Sequence, residues 1–227
     1  MIKQIILTCV ALVCTLFIFN ISDLDLIVQN HFYDAQLKQW LVDDNNVVLD
    51  FIFYSGIKKL FILFAVSLLA ALIFFYKTSL IQNYKQGIII VLLSIILVPV
   101  IISELKALTN VPCPNQITLY GGVFPHVSVL QAYPDDFTPP KRVKCFPAGH
   151  ASGGFALMAL FFLFKRKRNQ RLALVSAISI GWITGAYKML IGDHFLSHTI
   201  VTMLLAWLII LLITTTVQWY ENQVNSA

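Results

Sequence analysis

Three short stretches of the chain gather residue types that could do chemistry together. Lys106 is followed by Asn110-Val111-Pro112-Cys113-Pro114. Cys145-Phe146-Pro147-Ala148-Gly149-His150 opens one apolar run. Lys188 leads into Gly192-Asp193-His194-Phe195-Leu196-Ser197-His198 between two others. An ionisable residue within or at the end of a membrane helix is costly, so each of these is a functional candidate. Lys106 and Lys188 offer positive charge to an anion. Gly149 opens a helix, where free backbone N–H groups and the helix dipole favour an anion. His150 and His194 offer a nucleophile and a general acid that titrate near neutrality. An anion cradle with two imidazoles meets the needs of phosphoryl transfer through a phosphohistidine. A second reading uses the same residues. His194 and His198 have the i, i+4 spacing of a helical metal pair, with His150 as a third ligand. That pair lacks the inner glutamate of His-Glu-x-x-His, and no carboxylate stands out as a base.

The elements that must position these residues follow from composition. Of the 227 residues, 58% are apolar and only 12% are charged, about half the usual 25% of a soluble domain. So little charge excludes a soluble globular surface, and so much hydrophobicity excludes disorder. Six apolar segments, about 5–19, 60–76, 88–102, 148–164, 172–191 and 199–217, approach the roughly 20 residues that a helical span needs. The sequence therefore predicts an all-α integral membrane bundle of six transmembrane helices, one membrane domain over residues 1–227. Its core is expected at about 55–215, and residues 1–54 form an N-terminal anchor helix and outer loop. The first segment reads as a retained anchor rather than a signal peptide, because no small-x-small site follows Phe19. Pro99 is expected to kink the third helix without breaking it.

The run Lys165-Arg166-Lys167-Arg168 with Arg171 marks a cytoplasmic loop. Six spans then put both termini inside and all three chemical stretches at the outer ends of helices. Ten of the eleven acidic residues fall outside under this topology, although Lys58 and Lys59 sit awkwardly there. Two longer stretches lie on the outer side. Residues 20–58 are expected to hold an amphipathic segment around His31–Val42 and a turn at Asp43-Asp44-Asn45-Asn46. Residues 103–147 form the larger loop. His31 and His126 read as ordinary outer-face residues.

These motifs resemble those of the type 2 phosphatidic acid phosphatase family of lipid phosphatases and related transferases. That family carries Lys-x6-Arg-Pro, Pro-Ser-Gly-His and Arg-x5-His-x3-Asp. Here the three read Lys106-x6-Cys113-Pro114, Pro147-Ala148-Gly149-His150 and Lys188-x5-His194-x3-His198. The order and the intervals are kept. The resemblance implies His194 as the nucleophile and His150 as the acid that protonates the leaving alkoxide. It implies Lys106, Lys188 and the N–H groups around Gly149 as phosphate ligands, and it needs no metal or cofactor. Four positions depart from the pattern: Cys113 for arginine, Ala148 for serine, Lys188 for arginine and His198 for aspartate. Lys188 keeps the charge but loses the bidentate fork, and His198 keeps an acceptor for orienting His194. Arg142, with Lys141 and Lys144, is the expected replacement cation. The chain is also similar to a bacterial subgroup with Cys-Pro, Cys-Phe-Pro-Ala-Gly-His and Gly-x-His-Phe-x-Ser-His, which favours lipid A as substrate.

Cys113 and Cys145 both lie in the outer loop, where an oxidising compartment would allow a disulfide worth roughly 3–4 kcal/mol. The other reading is two free thiols. Cys9 and Cys14 read as packing residues. The expected function is hydrolysis of a phosphorylated membrane lipid (lipid A, polyprenyl pyrophosphate or a glycerolipid phosphate) at the periplasmic face of a bacterial inner membrane. The partners are that lipid and the bilayer, with no nucleic acid despite the formal charge of +5. Two alternatives remain: a lipid-to-lipid phosphotransferase, and a degenerate lipid-binding or transport protein.

Overall fold

The apolar runs fold as helices in the computed structural model, which describes residues 1–226 and is 72% helical. Helix α1 spans Ile2–Ile21 and α2 spans Leu24–Gln29. A two-stranded hairpin follows, β1 (Tyr33–Asp34) and β2 (Gln39–Trp40), with Tyr33 opposite Trp40. A short helix α3 (Val47–Asp50) runs through a π-helical turn (Phe51–Ser55) into α4 (Gly56–Phe74). Then come α5 (Ser79–Thr109), α6 (Gly149–Ala156), a 3-10 turn (Leu157–Ala159), α7 (Leu160–Leu163), α8 (Lys167–Leu190) and α9 (Leu196–Ser226).

Among the described residues, five helices are long and apolar enough to cross a membrane: Ile2–Ile21, Val47–Phe74, Ser79–Gln116, Lys167–Leu190 and Leu196–Val224. The fourth expected span forms a shorter apolar helix, Gly149–Leu163. It makes up in burial what it lacks in length. Ala151, Ser152, Gly154, Phe155 and Ala156 of α6 are all buried, with α5, α8 and α9 packed around them. Small residues make this possible. A Cβ on Gly154 would lie 2.7 Å from the Gly181 backbone of α8, and one on Gly181 would lie 2.3 Å from the Phe155 ring. The two helices touch backbone to backbone, as small-residue stripes permit in membranes. A glycine-rich helix is weak on its own, so tertiary packing holds α6.

Pro99 lies inside α5, which continues to Thr109. It ends at Asn110, which adopts the left-handed conformation (φ 53°) common at a helix C-terminus. The Asn110 side chain then accepts from the Val143 N–H at 2.9 Å and ties the return of the long loop to the helix end. The exposed basic run Lys165–Arg168 opens α8, so the whole of that helix separates it from Lys188.

The expected amphipathic segment at His31–Val42 forms as a turn and a hairpin. Residues 30–32 make one 3-10 turn and residues 33–40 the hairpin, while the helix lies earlier, in α2. The cause is tertiary. Tyr33, Trp40 and Tyr120 pack ring against ring at centroid distances of 4.9–5.2 Å. That contact rewards a strand pair in which Tyr33 and Trp40 share one face.

Candidate functional site

The C-termini of α5 and α8 and the N-termini of α6 and α9 meet at one end of the bundle, and the motif residues meet there with them. His194 sits in the tight connection between α8 and α9. Asp193 and His194 donate their N–H groups to the Lys188 carbonyl at 2.8 and 3.2 Å, and Gly192 donates to Met189 at 3.1 Å. Gly192 has φ +78°, and a Cβ on it would lie 2.2 Å from the Trp40 ring. Only glycine meets both conditions. The turn aims the buried His194 ring at α6, where its Nε2 lies 3.1 Å from His150 Nδ1. One proton is therefore shared between two imidazoles. Burial, then His198, His150, Lys106 and Lys188, push the His194 pKa well below the ordinary imidazole value. A neutral ring keeps the lone pair that a nucleophile needs.

Two lysines flank the pair. Lys188 is buried, and its Nζ forms an ion pair with Asp193 Oδ2 at 3.0 Å. Asp193 Oδ1 accepts from Asn115 Nδ2 at 3.1 Å, and the Asn115 N–H donates to Gly192 O at 2.9 Å. The first-motif loop is thereby docked on the loop that carries His194. Lys106 approaches from α5. Its Nζ lies 4.0 Å from where a Cβ of Gly149 would stand, so the missing side chain leaves room beside the ammonium group. Among the described residues no side chain caps α6, so its first N–H groups are open to an anion.

Cys113 and Cys145 are joined by a disulfide that spans a sequence separation of 32 and links the first motif to the second. The Cys145 sulfur lies 3.5 Å from His194 Nδ1. Cys145, His194 and His198 stand close enough for their donor atoms to share a metal. The Cys145 sulfur is bound to Cys113, however, and has no thiolate to offer. His198 lies with its ring edge-on to His194, centroids 5.7 Å apart, and its buried Nδ1 has no hydrogen-bond partner among the described residues. Arg142 is not brought to the cluster. It is exposed, and its guanidinium donates to the Leu108 carbonyl at 2.6 Å.

Two residues join the site without a motif to announce them, and a third, Asp193, lies unassigned inside the third motif. Asp193 was visible as a carboxylate five positions from Lys188, and that spacing was the available signal. Asp25 of α2 is buried and accepts from both the N–H and the hydroxyl of Ser197, at the start of α9. Tyr54, in the π-turn before α4, lays its ring edge-on to His150 at 4.8 Å, with Lys188 Nζ 5.1 Å from its centroid. Nothing in the sequence near Asp25 or Tyr54 reports contacts so far along the chain.

A cavity of about 530 Å³ leads away from His150 between α4, α5 and α6. Lys106, Gly149 and His150 stand at its head, and Phe61, Val66 and Ile95 are among its apolar walls.

The sequence model of the PAP2 superfamily matches residues 87–222, more than half of the chain and all of the motifs. The chain belongs to the PAP2 superfamily. Its members are phosphatases, and the family suggests action on phosphorylated lipids. With its apolar helices, this PAP2 protein is a multi-pass membrane protein. No curated protein and no solved structure matches the chain.

Proposed function

We propose that this protein is a lipid phosphate phosphatase that works through a phosphohistidine on His194. The observation that carries the reading is the hydrogen-bonded His150–His194 pair at the head of a groove with apolar walls. A water-soluble phosphate ester has no use for such walls, whereas a lipid buries its chain there. In the first step the Nε2 lone pair of His194 attacks phosphorus and the bond to the lipid oxygen breaks. His150 gives that oxygen its proton, and the lipid leaves as an alcohol. Water then attacks phosphorus, His150 takes back a proton, and the P–N bond breaks to release inorganic phosphate. Lys106, Lys188 and the α6 N–H groups neutralise the equatorial oxygens in both steps. Lys188 must loosen its hold on Asp193 to do so.

The substrate classes are lipid A, a polyprenyl pyrophosphate and a glycerolipid phosphate. We place the site on the periplasmic side of a bacterial inner membrane, because the basic run Lys165–Arg168 lies at the opposite end of the bundle. The test is phosphate release by purified protein from a panel of these lipids. Wild type is expected to release phosphate from at least one of them and to form an acid-labile phosphoprotein. His194→Ala is expected to do neither. Equal inactivity of both proteins across the panel would sink the proposal.

A further inference from the structure

The motif residues give the phosphate fewer side-chain donors than the family pattern carries. Ala148 brings no hydroxyl, Cys113 brings no guanidinium and is committed to a disulfide, and Lys188 is already paired with Asp193. A phosphate dianion spreads its charge over three oxygens, and an oxygen without a donor in a dry site weakens binding. Further donors line the cavity beside His150 from the π-helical turn and the start of α4, outside the stretch that the family model matches.

There the chain departs from α-helical winding. The π-helical turn Phe51–Ser55 inserts its extra backbone step just before α4. Such turns cluster at functional sites because they re-aim side chains. The side chain in question is Tyr54. Its ring touches both His150 and Lys188, it lines the cavity with Lys106, and its hydroxyl has no hydrogen-bond partner among the described residues. Lys58, four positions on, lines the same cavity. It too has no ion pair or hydrogen bond among the described residues, although it lies within the apolar rod Val47–Phe74. A lysine in such a segment is tolerated where it faces a polar cavity or a ligand. Its neighbour Lys59 turns elsewhere, over the Phe51 ring at 5.5 Å.

We propose that the start of α4 completes the phosphate site: the Tyr54 hydroxyl donates to a phosphate oxygen, and Lys58 adds positive charge where the headgroup enters from the groove. This rests on the phosphatase reading above. Tyr54→Phe tests it, because that change removes one oxygen and keeps the ring against His150 and Lys188. Tyr54→Leu removes the ring as well, Lys58→Gln removes the second charge, and Lys59→Gln is the control on the same helix.

Two quantities are read for each protein: kcat/KM for the best lipid substrate, and the affinity for orthovanadate by titration calorimetry. A hydrogen bond to a charged group is worth a factor of roughly 10–100. Tyr54→Phe is therefore expected to lose about that factor in both readouts. Lys58→Gln is expected to raise KM severalfold and weaken orthovanadate, and Lys59→Gln to match wild type. Wild-type values for Tyr54→Phe in both readouts, with a loss only in Tyr54→Leu, would reduce Tyr54 to packing and overturn the inference while the phosphatase reading stands. A wild-type protein that neither binds orthovanadate nor releases phosphate would overturn both.

Discussion

The proposed attack on phosphorus needs a neutral His194, and its surroundings all push that way. Burial disfavours the charged ring most, and the neighbouring imidazoles and the two lysines add to it. A lowered pKa means that protonation sets in only at lower pH. The activity should therefore persist below the ordinary imidazole value of 6.5, and kcat/KM measured against pH checks this. An acid limb centred at or above that value would mean that the site is wetter and less cationic than the geometry implies. The sequence made much of this scale legible, because Lys106, His150, Lys188 and His194 are announced by spacing. It misled on Arg142, whose proximity in sequence to the second motif gave way to a carbonyl at the end of α5. Spacing counts residues along the chain and carries no information on where an exposed loop lays its side chains.

At the scale of elements, α2 acts on the site through Asp25. Burial pushes this carboxyl up to about 6 from 3.8, although both bonds from Ser197 pull it down. The fold thus binds the Asp25 proton more tightly than the unfolded chain does. That contribution is complete below about pH 4, fades as the pH rises towards 6 and is absent above it. Asp25→Asn keeps one acceptor for the Ser197 N–H and offers an amide N–H to its hydroxyl oxygen, without the buried charge. It should raise the thermal midpoint at pH 8, by no more than the equivalent of about 3 kcal/mol, and the gain should shrink at pH 5. Asp25→Ala should lower the midpoint at both pH values. An Asp25→Asn protein less stable than wild type at pH 8 would mean that the charge itself secures α9. The α6–α8 contact makes a second prediction at this scale. Gly181→Val drives a branched side chain into Phe155 and should cost about 1–3 kcal/mol, read as a drop in midpoint with loss of activity. Five of the described helices were legible from hydropathy as apolar runs long enough to span, whereas the fourth expected span forms the shorter Gly149–Leu163. The α2 helix and its hairpin were not, because a buried Asp25 on Ser197, 172 residues away, and a Tyr33–Trp40–Tyr120 cluster leave no local pattern.

For the whole molecule, the Cys113–Cys145 bond closes the long loop over the site. A Cys113→Ser, Cys145→Ser double variant should lose about 3–4 kcal/mol of stability in the chain-entropy view. Unfolding midpoints with and without reductant check this, and reductant should leave the double variant unmoved. The bundle is not equally tight throughout. Helix α4 rests Phe61, Phe64 and Leu68 partly buried on the core and has no fully buried residue among the described ones, yet it forms one wall of the groove. What presses on its far side must therefore help to fix the width of that groove. In a bilayer the pressure comes from acyl chains, and in a micelle from a looser shell of detergent. Thickness, chain saturation and curvature of the host membrane would then tune how readily the proposed lipid substrate is admitted, so that the protein is also a gauge of the membrane around it.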